Sequence, residues 1–99
     1  MPPYRIELTE NAKADLVRYR AVEQKMIVSQ IKEQLRHEPL RETRNRKMLR
    51  DNPLGPWELR AGRYRAFYRV FEDEAVVLVA AIGHKEHNAL FIRGKEVQL

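Results

Sequence analysis

The sequence predicts an α+β fold, with two helices from the N-terminal half packed on one face of a small, twisted, mainly antiparallel sheet. Three observations predict it. A short alternating segment is followed by two amphipathic helical segments. Three strand-like segments then come in succession, separated by tight polar turns. The last of them is a continuous apolar run, as expected of a central strand covered on both faces.

The elements follow from local pattern. Tyr4, Ile6 and Leu8 alternate with Arg5 and Glu7, which predicts a half-buried strand. Thr9 is an N-cap residue, and Glu10 sits where the helix dipole favours negative charge. Ala12, Leu16 and Tyr19 share one face of the first helix, and a break is expected near residues 21–23. A second helix is predicted over residues 24–36, with Ile27, Ile31 and Leu35 in one row. Pro39 disfavours helical geometry just before it and ends that helix. Asp51-Asn52-Pro53-Leu54-Gly55-Pro56 is a string of turn formers. Residues 57–60 and 64–71 alternate as strands around an Ala61-Gly62-Arg63 turn. In the second, Tyr64, Ala66, Tyr68 and Val70 face one way and Arg65, Phe67, Arg69 and Phe71 the other. Residues 75–82 form the apolar strand, which Gly83 is expected to end. The tail from residue 84 to 99 is expected to be a loop, with at most a short strand or helix at residues 89–92. The sheet face away from the helices is expected to be open and to carry Arg60, Arg65 and Arg69.

The chain's 99 residues predict a single domain spanning 1–99. A hydrophobic fraction of 43% supports a core, and the 33% of charged residues mixes both signs, which excludes a disordered chain. There is no cysteine, so disulfides and thiol catalysis are excluded. The start, Met1-Pro2-Pro3-Tyr4, lacks the apolar stretch of a secretory signal, and the longest apolar run is far short of the ~20 residues of a membrane helix. These features predict a soluble, cytoplasmic protein with no membrane partner. The net charge of +5 fits a polyanion partner, nucleic acid first, or a basic surface that serves solubility. Most of that charge lies in residues 41–50, where Arg41, Arg44, Arg46, Lys47 and Arg50 face the single acidic Glu42.

The run from Trp57 to Tyr68 reads aromatic-x-Leu-Arg-x-Gly-x-Tyr-Arg-x-x-Tyr, and an apolar strand then leads into Gly83-His84-Lys85-Glu86-His87. In this motif and in the order of its elements the chain resembles the RelE/ParE superfamily, the toxins of type II toxin–antitoxin systems. The resemblance implies the same α+β toxin fold, a cognate antitoxin that wraps the toxin, and contact with operator DNA through that antitoxin. For RelE-like members it implies cleavage of mRNA in the ribosomal A site without a metal or other cofactor. It assigns Arg65 to the scissile phosphate, His87 to proton transfer, and other basic residues of the sheet face to RNA. Two positions depart from the RNase pattern. Phe91 stands where a tyrosine hydroxyl often serves, and Glu58 where a lysine often lies.

Metal-free RNA cleavage uses the 2′-hydroxyl as nucleophile, and needs a base, a phosphate clamp and an acid. Arginine suits the clamp because its planar fork donates two charge-assisted hydrogen bonds. Arg65 is the candidate, against a solvated strand arginine or one paired with Glu58. Histidine titrates near neutrality, which makes His87 a candidate acid or base, against an ordinary surface histidine. His84-x-x-His87 lacks further metal-ligating partners in sequence, so no metal site is expected. Arg41, Arg44, Arg46, Lys47, Arg50, Arg60 and Arg69 are candidate RNA contacts, and the run from 41 to 50 equally fits a solvated turn or a dock for an acidic antitoxin. Phe67 and Phe71, on the face read as open, suit an apolar cover better than base stacking. The leading reading is a ribosome-dependent mRNA endonuclease. The alternatives are a ParE-like gyrase inhibitor and a degenerate toxin that only binds its antitoxin and operator DNA.

Overall fold

In the computed structural model, residues 3–99 are described, and they form two helices and seven strands. The order is β1 (Arg5–Leu8), α1 (Glu10–Leu16), α2 (Ala21–Leu35), β2 (Arg46–Met48), β3 (Trp57–Ala61), β4 (Tyr64–Phe71), β5 (Val76–Glu86), β6 (Ala89–Ile92) and β7 (Lys95–Val97). The predicted α+β architecture is the one found. The sheet runs β2-β3-β4-β5-β6-β7, antiparallel throughout, and β1 adds to β5 in parallel.

Thr9 caps α1 as expected, its hydroxyl accepting from the Ala12 N–H at 3.1 Å. The helix is shorter than predicted and Tyr19 lies beyond it. The break falls at residues 17–20, and α2 starts at Ala21, three residues before the predicted start. Glu23 is the reason: its carboxylate accepts the Arg20 N–H at 3.1 Å, which caps α2 at that point. Ile27, Ile31 and Leu35 are buried against Trp57, Leu59, Tyr68 and Val77 in the core under the helices.

Beyond residue 40 the structure corrects three expectations. Residues 46–48 are a strand, β2, pairing with β3. Gly83 does not end β5, which continues to Glu86. A Cβ at Gly83 would lie 2.4 Å from the Phe91 carbonyl oxygen, so the glycine admits a close neighbouring strand. The tail is therefore two more strands, joined by two-residue turns at His87-Asn88 and Arg93-Gly94, all four residues having positive φ.

The third correction concerns the face away from the helices, which is only partly open. Phe67 and Ala81 are buried there with Leu90 and Ile92, and Leu49, Leu54 and Val97 pack around them. The chain thus builds its own cover for Phe67 from β6, β7 and the loop after β2. Phe71, at the strand end, stays exposed.

Strand β5 carries a bulge opposite Phe67 and Tyr68. Its first half pairs with β1 and its last residues with β6, which leaves a gap in hydrogen bonding between the two. The N-cap of the first helix and a residue in its last turn fill that gap. The Thr9 hydroxyl donates to the Ala80 carbonyl at 3.1 Å, and the buried Asp15 accepts the Ile82 N–H at 3.0 Å. Arg93 reaches Asp15 at 3.0 Å from the β6–β7 turn. Burial raises the Asp15 pKa, and the Ile82 N–H and Arg93 oppose that rise. No described helix is long and apolar enough to cross a membrane.

Candidate nucleic-acid interface

Pairing register fixes which side chains share the face away from the helices. Lys47 lies across from Glu58, Glu58 from Phe67, Arg60 from Arg65, and Arg65 from Gly83. Lys85, two residues past Gly83, returns to the same face. Lys47, Arg60, Arg65 and Lys85 therefore surround the buried Glu58 and Phe67. Like charges directly opposite on adjacent strands repel, which makes the Arg60–Arg65 pair costly without an anion nearby. Glu58 supplies part of that charge through its ion pair with Arg60 at 3.2 Å.

Arg65 is half-buried and held in place. Its Nη1 donates to the carbonyls of Gly62 at 2.8 Å and Tyr64 at 2.9 Å. Its Nε is buried and has no partner among the described residues. A buried unpaired donor costs ~1–3 kcal/mol, more when charged, and is uncommon in a native fold. Burial lowers the Arg65 pKa; Glu58 opposes the shift and Arg60 adds to it.

Beside this patch lies a cleft of about 450 Å³, lined by Glu58, Lys85, His87, Leu90, Glu96 and Leu99. His87 sits at the exposed tip of the β5–β6 hairpin. His84 does not join it. The His84 ring lies against Tyr19, in the segment between α1 and α2, with Nδ1 2.7 Å from its hydroxyl, and stacks on Phe91 at 5.7 Å between centroids. Burial pushes the Tyr19 pKa up to about 12, so this hydroxyl stays protonated. The two histidines thus belong to different faces, and Phe91 faces the helices with His84.

The other predicted contacts scatter. Arg41, Arg44 and Arg50 are exposed outside the patch that holds Lys47, and Arg41 pairs with Glu38 at 3.2 Å. Arg69 is exposed on the same face as Arg65 but four residues further along β4, roughly 13 Å at ~3.3 Å per residue. Arg46 is a correction. It is 8% exposed, and its Nη1 donates to the carbonyls of Gln34, His37 and Glu38 at 2.7, 3.1 and 3.0 Å. It closes the C-terminal end of α2, and its buried side chain points inward, away from the face that carries Lys47. Sequence reasoning missed Lys85 because it ended β5 at Gly83; continued alternation from Arg65's partner position would have found it.

The sequence model of one family, the ParE toxin of type II toxin–antitoxin systems (parDE), matches residues 6–89. Among solved structures, the chain is similar to a chain of the RelBE2 toxin–antitoxin complex from Mycobacterium tuberculosis. The TM-score is 0.74 at 29% identity, over 86% of this chain and 94% of that one. It is also similar in fold to a chain of the archaeal RelE–RelB complex from Pyrococcus horikoshii, with a TM-score of 0.66 at 19% identity, over 85% of this chain and 97% of that one. No curated protein matches.

Proposed function

Since the chain belongs to the ParE toxin family, within the RelE/ParE superfamily of type II toxin–antitoxin toxins, we propose that it is held by a cognate antitoxin and, when released, cuts mRNA in the ribosomal A site. The observation that carries this reading is the Arg60–Arg65 pair. Two arginines face each other across strands, and one keeps a buried donor unpartnered. A phosphate bound by the two guanidinium groups would offset the repulsion. His87 and Lys85 border the neighbouring cleft, where a departing 5′-oxygen would meet a proton donor. The antitoxin partner is supported by both similar structures, each a toxin–antitoxin complex. Arg41, Arg44, Lys47 and Arg50 suit an acidic antitoxin segment or the RNA backbone. Operator DNA would be met through the antitoxin, and the site of action would be the cytoplasm. No cofactor enters the proposed chemistry.

The reading is tested by primer extension on translated mRNA with wild-type and Arg65→Ala protein. Arg65 contributes little to the core, so the variant should fold, bind antitoxin and lose most cleavage and growth inhibition. A folded Arg65→Ala chain that cuts and poisons like wild type removes the phosphate clamp. The family match favours a second reading, inhibition of DNA gyrase by binding alone. A supercoiling assay run alongside separates the two: inhibited gyrase with no ribosome-dependent cuts replaces the nuclease reading.

A further inference from the structure

We propose that Glu23, at the start of α2, is a positioning residue for the Arg65 phosphate clamp and acts through the turn that joins β3 to β4; this rests on the nuclease reading above. The turn is short. Gly62 and Arg63 connect Ala61 to its partner Tyr64, and Gly62 takes a φ of 62°. Arg65 uses this turn as its mount, because its Nη1 donates to the carbonyl oxygens of Gly62 and Tyr64 at 2.8 and 2.9 Å. Where those two carbonyls point therefore sets the direction of the guanidinium. A long side chain has many rotamers to lose, and one already held in place binds a phosphate without that loss.

What steadies the turn comes from the helix side of the sheet. The Glu23 carboxylate accepts four hydrogen bonds. Its Oε1 takes the Arg20 N–H and Nε, each at 3.1 Å. Its Oε2 takes Arg63 Nη2 at 3.2 Å and the Tyr64 hydroxyl. One oxygen thus caps α2, and the other grips the end of the turn and the first residue of β4. The Arg63 guanidinium also lies 5.0 Å over the Tyr64 ring, and the Arg63 carbonyl accepts the Lys85 N–H at 2.7 Å. The turn is held from α2 through side chains and from β5 through the backbone. Tyr64 first, and then Arg20 and Arg63, keep the Glu23 pKa at about 2, so the grip stays anionic over any working pH. Strand alternation puts Tyr64 and Arg65 on opposite faces, so Glu23 and Arg65 communicate through the turn backbone alone.

The test takes two measurements on wild-type, Glu23→Gln and Tyr64→Phe protein. Glutamine keeps an acceptor for the α2 cap and loses the charge that holds Arg63; phenylalanine keeps the ring and loses the hydroxyl. The first measurement is solvent exchange of the Arg65 Nε–H by nuclear magnetic resonance. That group is buried in the wild-type fold and should lose protection in both variants. The second is single-turnover cleavage of A-site mRNA in programmed ribosomes. The saturating rate should fall ~10–10²-fold, as for a clamp misplaced by about an ångström, with the half-saturating toxin concentration unchanged. A role in stability alone would lower the folded fraction, which moves half-saturation and leaves the saturating rate. Unchanged protection of Arg65 in both variants overturns the positioning role. So does a Glu23→Gln chain that cuts at the wild-type saturating rate, and the nuclease reading then stands. A wild-type chain that cuts nothing overturns the nuclease reading and this role in cleavage with it, even where Arg65 protection follows Glu23.

Discussion

Arg46 and Lys47 are adjacent in sequence, equally basic, and expected to behave oppositely on truncation. Alternation turns Lys47 to the exposed face and Arg46 inward, under the end of α2. There a single Nη1, with two hydrogens, serves the carbonyls of Gln34, His37 and Glu38. A net hydrogen bond to a charged group contributes ~1.5–3 kcal/mol, and a cation at a helix C-terminus ~0.3–2 kcal/mol. Two hydrogens cannot make three full bonds, and His37 and Glu38 are exposed enough for water to replace part of what is lost. Arg46→Ala should therefore cost about 2–4 kcal/mol. For a domain of this size that is roughly 8–30 °C in Tm, at about 4–8 °C per kcal/mol. Lys47→Ala should stay within ~0.5 kcal/mol. Arg46→Met, which keeps most of the buried stem, separates packing from hydrogen bonding and should recover only part of the loss. Urea denaturation of the four proteins measures these differences. An Arg46→Ala chain as stable as Lys47→Ala would refute the claim that Arg46 closes the helix.

Gly83→Ala should destabilise by ~1–3 kcal/mol, because its Cβ would lie 2.4 Å from the Phe91 carbonyl oxygen and 2.7 Å from the Ile92 Cγ1, which forces β6 away from β5; thermal melting and amide exchange in β6 measure it. Glu23 is held well below the usual carboxylate range, at about 2, first by its hydrogen bond from Tyr64 and then by Arg20. A depressed folded pKa means a contribution present above the unfolded value of 4.5 and lost as pH falls toward 2. The Tm gap between wild type and Glu23→Gln should therefore be largest near neutrality and close between pH 4.5 and 2. A gap that persists unchanged at pH 2 contradicts the assignment.

Local pattern by itself determined the class of fold. Period-two alternation at residues 4–8 and 64–71, helical spacing of Ile27, Ile31 and Leu35, and one continuous apolar run suffice, because each depends only on which side of an element meets water. The motif from Trp57 to Tyr68 also carried the family and singled out Arg65. What local pattern could not decide depends on residues distant in sequence. Gly83 reads as a strand end until Phe91 and Ile92 are brought against it. Phe67 reads as exposed until Leu49, Leu90, Ile92 and Val97 cover it. Arg46 reads as one more cation in a basic run until the end of α2, eight to twelve residues earlier, is folded onto it. Glu58 reads as a surface carboxylate until the register with β4 buries it across from Phe67. In each case the residue's type was legible and its partner was not, because partners are chosen by chain closure and close packing, which only the tertiary structure supplies.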